Sequence, residues 1–286
     1  MNILILTGGS IEPSFAKNYI AQHSWDRILA ADSGLEFCRA ADILPDRILG
    51  DYDSARKETV HYYREHFPER MVTYPSEKDE TDTELAVSLA LEAGADHMTL
   101  LGATGTRVDH LLGSLQLLVK ACAAGADCVI VDAHNRIRLL GRPREALSLA
   151  GLPTVRAEES AQAALTPGEN TFLGEHAANG QGLSSFPEPN SRPGRQAAEQ
   201  ETAGSWLDSH PPVEYRLRRE EQFGLYVSLL PFTPSVEGLT LSGFHYNVKN
   251  FTLTCGKALG VSNEIEDEIA QITFRKGLLL VIESLD

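Results

Sequence analysis

Nothing in the 286 residues approaches the roughly 18 consecutive apolar residues that a membrane-crossing helix requires. Basic charge is also scarce: 25 Lys and Arg stand against 40 Asp and Glu, for a formal charge of −15 at pH 7. A nucleic-acid binder carries a basic footprint, so neither nucleic acid nor membrane is expected as a partner. The acidity does not exclude nucleotides, because a divalent cation can bridge acidic protein to phosphate. The four cysteines, Cys38, Cys122, Cys128 and Cys255, are scattered and form no Cys-x-x-Cys pair. That argues against a zinc site and against a disulfide framework. Two nucleotide signatures are missing as well. There is no Gly-x-x-x-x-Gly-Lys-Ser/Thr, and Gly102-x-x-Gly105 is not a dinucleotide fingerprint. Residues 1–9 are too short, and too soon broken by Thr7-Gly8-Gly9, for a signal peptide. They read as a buried first strand, and a cytoplasmic location is expected.

What is present falls into three stretches. Residues 1–149 alternate short apolar runs, at 3–6, 28–31, 48–49, 72–74, 98–101 and 128–131, with amphipathic segments. Leu85, Ala86, Leu89, Ala90 and Ala93 share one helical face, as do Leu111, Leu112, Leu115, Leu118, Val119 and Cys122. Gly94 and Gly125 stand where C-terminal glycines belong. Strands alternating with helices predict an α/β, doubly wound, mostly parallel sheet. Residues 150–212 lose apolar periodicity, are rich in Ala, Gly, Glu, Gln, Ser and Pro, and read as a flexible low-complexity insertion. Residues 213–286 hold short strand-like runs at 226–230, 239–244, 251–254, 269–274 and 278–283 with no amphipathic helix between them. These predict a smaller all-β sandwich domain.

Ligands of open α/β sheets collect at the carboxyl ends of the strands, and there the sequence places glycines and acids. Thr7-Gly8-Gly9, Asp32-Ser33-Gly34, Gly50-Asp51-Tyr52-Asp53-Ser54, the loop from Gly102 to His110 and Asp132-Ala133-His134-Asn135 each follow an expected strand. In an extended segment Asp51 and Asp53 point to one face, and two such carboxylates repel unless a cation lies between them. Mg²⁺ takes oxygen ligands of this kind together with phosphate; a solvated acidic turn is the plainer alternative. Thr81 and Glu84 fit a helix capping box. Capping does not require Lys78, Asp79 or Asp82, and a helix N-terminus also suits phosphate, so Asp82 is a metal candidate and Lys78 a phosphate candidate. In the glycine loop, Gly102 and Gly105 permit close backbone approach and Arg107 can hold phosphate bidentately. Asp109 can accept a proton, bond a substrate, or merely cap the helix that follows. The loops 243–247 and 260–264 put aromatic rings beside amides and hydroxyls, which suits a flat heteroaromatic ligand or ordinary turn chemistry.

Six motifs in fixed order carry a resemblance: Gly50-Asp51-Tyr52-Asp53-Ser54, Glu77-Lys78-Asp79-x-Thr81-Asp82, Gly102-Ala103-Thr104-Gly105-x-Arg107-x-Asp109-His110, Ser228-Leu229-Leu230-Pro231, Gly243-Phe244-x-Tyr246 and Ser262-Asn263-Glu264. Together they resemble the thiamine pyrophosphokinases of bacteria. The resemblance implies a catalytic α/β domain, a thiamine-binding β-sandwich and a homodimer with sites between subunits. It implies Mg²⁺-dependent transfer of pyrophosphate from ATP to thiamine, giving thiamine diphosphate and AMP. Asp51, Asp53 and Asp82 would hold the metal, and Arg107 and Asp109 would complete the catalytic set. Asp32, Lys78, Asp79, Thr81, Gly102, Thr104 and Gly105 would serve the nucleotide. Tyr246 would stack on thiamine where some relatives have tryptophan, with Ser262 and Asn263 lining its pocket. Asp51, Asp53, Asp82 and Asp109 should converge on one cleft, faced by Ser262 and Tyr246 from a neighbouring subunit or domain. A pyrophosphokinase for another alcohol, such as a pterin, and a metal-dependent phosphohydrolase are the alternatives. The segment around 151–212 departs from the family pattern and inherits no role.

Overall fold

A computed structural model describes residues 1–74, 79–151 and 210–286. The described residues of Met1–Pro153 and Pro211–Asp286 belong to one compact unit, and the architecture below is that unit's. The expected insertion at 150–212 falls almost wholly outside the described residues.

The first six strands are β1 (Asn2–Leu6), β2 (Arg27–Ala31), β3 (Arg47–Gly50), β4 (Met71–Thr73), β5 (His97–Leu101) and β6 (Asp127–Val131). They pair in parallel in the order β4-β3-β2-β1-β5-β6. Ile3, Leu4, Ile5 and Leu6 are all fully buried, as expected of a central parallel strand covered on both faces. One face is covered by α1 (Pro13–Gln22), α2 (Gly34–Ala41) and α3 (Lys57–His66), through Ala16, Leu35, Phe37, Cys38, Val60 and Tyr63. The other is covered by α4 (Asp82–Glu92), α5 (Val108–Ala123) and α6 (Pro143–Leu149), through Ala86, Val87, Ala90, Leu117, Leu118 and Ala146. This is the doubly wound sheet that the alternation predicts. Helix α5 begins at Val108, three residues before its expected start, because Arg107 already adopts the extended conformation of an N-cap.

The sheet continues past β6 through β7 (Asn135–Leu140), β14 (Leu279–Ser284), β9 (Tyr226–Pro231) and β12 (Asn263–Glu264), each antiparallel to its neighbour. A second sheet, in the order β11-β10-β13-β8, is antiparallel throughout: β8 (Val213–Arg218), β10 (Ser235–Ser242), β11 (Val248–Thr254) and β13 (Ile269–Phe274). The sandwich thus borrows its second leaf from the large sheet. Val227, Leu229, Leu279 and Val281 of β9 and β14 pack against Leu217, Val236, Leu253 and Ile272. Alternate residues of β14 and of the turn before it, Leu280 and Leu278, enter the α/β core instead. Strands of period two make this sharing possible.

Two strands start three or more residues from where the sequence reading put them. β10 starts at Ser235, four residues early, and β11 at Val248, three residues early. Gly238 (φ +72°) and Asn250 (φ +50°) sit where the pairing shifts register. Such irregularities admit a positive φ inside a strand, and these residues looked like turns. Strand β7 was not expected. It forms because Asp132 closes a hairpin, its Oδ1 accepting from the N–H of His134 (2.7 Å) and of Asn135 (2.8 Å). That side chain is consumed by the turn, so the 132–135 segment is not the ligand loop its position after β6 indicates.

Candidate active site

Strand order reverses at β1, whose two neighbours, β2 and β5, lie far apart in sequence. The loops leaving β1 and β5 are stitched together there. The N–H of Gly9 donates to Gly102 O (2.7 Å), that of Ser10 to Thr104 O (2.8 Å), and Thr7 Oγ1 to Gly102 O (2.6 Å). A Cβ on Gly9 would meet the carbonyls of Gly102 and Thr104 at 2.2 and 2.3 Å, so only glycine permits this junction. Beside it opens a cleft of about 500 Å³ lined in part by Gly8, Asp32, Asp53, Gly102, Thr104, Gly105 and Arg107. It sits where open α/β sheets bind their ligands.

Carboxylates gather at one end of this cleft. Asp32 follows β2 in a left-handed conformation (φ +53°) and accepts a hydrogen bond from the Ser54 hydroxyl. Its carboxyl is pushed up to about 6, first by burial and then by the charges of Asp82, Asp53 and Asp51. Asp82 is the first residue of α4, and a methyl on Gly50 would lie 3.2 Å from its Oδ2. The expected extended run through Asp51 and Asp53 is instead a tight turn. Tyr52 between them is left-handed (φ +65°) and buried, with its hydroxyl held by the carbonyls of Ile48 (3.1 Å) and Val72 (3.0 Å). Asp51 Oδ1 accepts from the Asp53 N–H at 3.0 Å. A bulky residue tolerates this conformation only where packing overdetermines it, so the Tyr52 anchor is what sets the two acids. Among the described residues no three His, Cys, Asp or Glu form a ready-made metal cage.

Arg107 and Asp109 are paired with each other: Nη2 donates to Oδ2 at 2.5 Å and Nε to Oδ1 at 3.2 Å, both side chains being exposed. The Arg107 bond, helped by the His110 N–H, holds the Asp109 carboxyl down at about 2. Asp109 is therefore a permanent carboxylate, suited to orienting a donor and ill suited to removing a proton. Thr81 caps α4, its Oγ1 accepting from Glu84 N–H at 3.2 Å, and Asp79 is exposed just before it. Lys78 lies outside the described residues.

The C-terminal candidates meet elsewhere. An apolar cavity of about 490 Å³ opens in the sandwich, lined among others by Leu229, Leu239, Leu241, Phe251, Tyr246 and Asn263. Tyr246 is 65% exposed. Ser262, also exposed, is left-handed (φ +58°), its N–H donating to the buried Ser228 Oγ at 3.0 Å. Phe244, by contrast, is buried in the sandwich core. Sequence reasoning gave no individual role to Gly9, Tyr52, Ser54 or Ser228. Gly9 and Tyr52 carried a signal in their position after a strand, and Ser54 and Ser228 in the motifs they belong to, but the partner that each hydroxyl finds is not written in the sequence.

Comparison with known proteins agrees with this geometry. The family description "Thiamin pyrophosphokinase, catalytic domain" matches residues 17–130. "Thiamin pyrophosphokinase, vitamin B1 binding domain" matches residues 214–279. The thiamine pyrophosphokinase of Bacillus subtilis (strain 168) is 26% identical over 258 residues, covering 90% of this chain and 87% of the relative. The crystal structure of thiamine pyrophosphokinase from Bacillus subtilis superposes with a TM-score of 0.68 at 24% identity, covering 100% of both chains. That from Geobacillus thermodenitrificans does so with a TM-score of 0.66 at 25% identity, covering 100% of this chain and 98% of the other. The two matched segments span more than half of the sequence and correspond to the cleft-bearing and cavity-bearing regions, and the chain belongs to the thiamin pyrophosphokinase family.

Proposed function

We propose that this chain is a thiamine diphosphokinase in which the cleft beside β1 takes ATP and the apolar cavity of the sandwich takes thiamine. The thiamine hydroxyl oxygen forms a bond to the β-phosphorus, and the bond from that phosphorus to the bridging oxygen of AMP breaks. The hydroxyl proton is released and AMP departs with the bridging oxygen. Such transfers depend on positioning and charge neutralisation more than on covalent participation by the protein. The Gly8–Gly9 and Gly102–Gly105 backbones leave room for phosphates against the sheet ends. Arg107, pre-oriented by Asp109, faces the transferred group as a bidentate donor.

The observation that carries the reading is the acid cluster. Burial first, and then the charges of Asp82, Asp53 and Asp51 beside it, raise the Asp32 carboxyl to about 6, and the repulsion within such a cluster is relieved by a bound cation. Mg²⁺ typically uses one or two protein carboxylates and completes its shell with water and phosphate, so the donor set fits without a preformed cage. Asp51, Asp53 and Asp82 would hold it, and when bound it neutralises charge on the phosphates. Lys78 is assigned to phosphate, with Asp79 and Thr81, which follow it in the chain, also serving the nucleotide. In the cavity Tyr246 offers a ring face to thiamine, and Ser262, between the lining residues Val261 and Asn263, offers a hydroxyl from outside that lining.

A homodimer is part of the proposal. Five strand spacings of about 4.8 Å separate β1 from β9, so the cleft and the cavity of one chain lie on the order of 24 Å apart. Chemistry between them needs a second copy to bring its cavity to the cleft. A cytoplasmic site of action fits the four free cysteines, which suit a reducing compartment. No helix among the described residues is long and apolar enough to cross a membrane.

Purified protein given Mg·ATP and thiamine should form AMP and thiamine diphosphate in equal amounts. ADP, free phosphate, or AMP formed without thiamine would overturn the assignment. A pterin alcohol should not replace thiamine as acceptor.

A further inference from the structure

Asn263 lines the cavity, yet its hydrogen-bonding groups are turned to the protein. It is the first residue of β12, lies opposite Val227 of β9, and is 6% exposed. Its Oδ1 accepts from the N–H of Tyr246 (2.9 Å) and of Glu264 (3.0 Å), and its Nδ2 donates to Tyr246 O (2.9 Å). An asparagine amide has two acceptor positions and two donor hydrogens. Three of the four are taken, two of them by one residue's backbone. Among the described residues the aromatic partner of the Tyr246 ring is His245, edge-on at 4.6 Å, and Tyr246 is largely exposed. Phe244, two residues back, is buried, and its N–H donates to Asn247 Oδ1 at 3.1 Å. The loop is therefore pinned at Phe244 by packing and at Tyr246 by the Asn263 amide.

We propose that Asn263 is a positioning residue that acts on thiamine only through Tyr246, holding the backbone that carries the stacking ring from a buried amide across the loop. The inference rests on the reading of the cavity as the thiamine site. An aromatic ring already ordered before binding avoids part of the entropy cost of being ordered by the ligand. Loss of the anchor should weaken thiamine binding while sparing ATP and the transfer step.

A double-mutant cycle separates action through Tyr246 from direct contact, because coupled residues fail to add. Asn263→Ala should raise the KM for thiamine by about tenfold, with kcat and the KM for ATP changed by less than about twofold. In a Tyr246→Ala background the same substitution should raise it by less than about twofold further. Asn263→Asp keeps the acceptor and loses the donor to Tyr246 O. It should give an intermediate KM, and it serves the same cycle if Asn263→Ala does not fold. Additive increases in the double variant would show direct contact and overturn the proposal. So would a variant that melts earlier while its thiamine KM stays at the wild-type value. If Tyr246→Ala alone leaves the thiamine KM unchanged, the cavity reading itself fails, and the role of Asn263 falls with it.

Discussion

The cleft beside β1 and the cavity of the sandwich are of nearly equal volume, about 500 and 490 Å³, yet they are built differently. The cleft is made by loops leaving parallel strands, with glycines at steric contact, left-handed Asp32 and Tyr52, and carboxylates crowded against one another. The cavity is made largely by side chains of antiparallel strands, and the Asn263 amide in its lining holds the backbone of Tyr246. The cleft stores carboxylate repulsion that a cation would relieve. The cavity offers apolar surface with a few fixed polar contacts, the usual arrangement for an organic ligand. On the proposed reading, charge handling falls to the strand ends of the large sheet and recognition to the sandwich that this sheet forms with the second one.

Substitutions that strike one region should leave the signature of the other intact. The largest effect is expected at Asp51. Asp51→Asn should lower kcat by on the order of 100-fold or more, with an unchanged far-UV spectrum and an unchanged affinity for thiamine by titration calorimetry. The seam between the regions comes next. Glu283 of β14 is fully buried and binds Arg136 of β7 through two bonds, at 2.6 and 2.8 Å. Glu283→Ala strands the arginine charge and should destabilise the fold by about 3–5 kcal/mol, read by urea unfolding; Glu283→Gln should cost less. Gly9→Ala forces a methyl onto two carbonyls and should cost about 1–3 kcal/mol, raising the KM for ATP while the thiamine KM holds. The smallest effect is electrostatic, at the cavity mouth. His245 Nδ1 donates to Glu266 Oε1 at 2.5 Å, and that bond and charge, with Glu264 nearby, raise the imidazole above 6.5. The pair's contribution is complete below the unfolded value and disappears as pH rises through the folded one. Glu266→Gln should bring the His245 titration, followed by NMR, back toward 6.5.

The cleft was the more legible region because its chemistry interrupts periodic sequence. Asp32, Asp51, Gly102 and Arg107 each follow an apolar run that could only be a buried strand, so position alone marked them. The left-handed turn at Tyr52 was hidden, since nothing in a one-dimensional pattern says that a tyrosine hydroxyl will find the carbonyls of Ile48 and Val72. The cavity was nearly silent: Leu229, Leu239, Leu241 and Phe251 read as ordinary core, which they are until the ends of two sheets leave a gap. The sharing of β9 and β14 between the two cores also escaped the sequence. Alternation shows that a strand has two faces but not which neighbour covers each. The irregularities at Gly238 and Asn250 masqueraded as turns for the same reason.

The separation of cleft from cavity along the sheet is the central claim, and mixing two crippled variants tests it most directly. Asp51→Asn damages only the cleft and Tyr246→Ala only the cavity. If sites form between copies, refolding an equal mixture yields mixed dimers with one intact site each. At thiamine concentrations below the wild-type KM, activity should then return to about a quarter of the wild-type value. Activity no greater than the average of the two variants would show that each chain completes its own site, and would contradict the account.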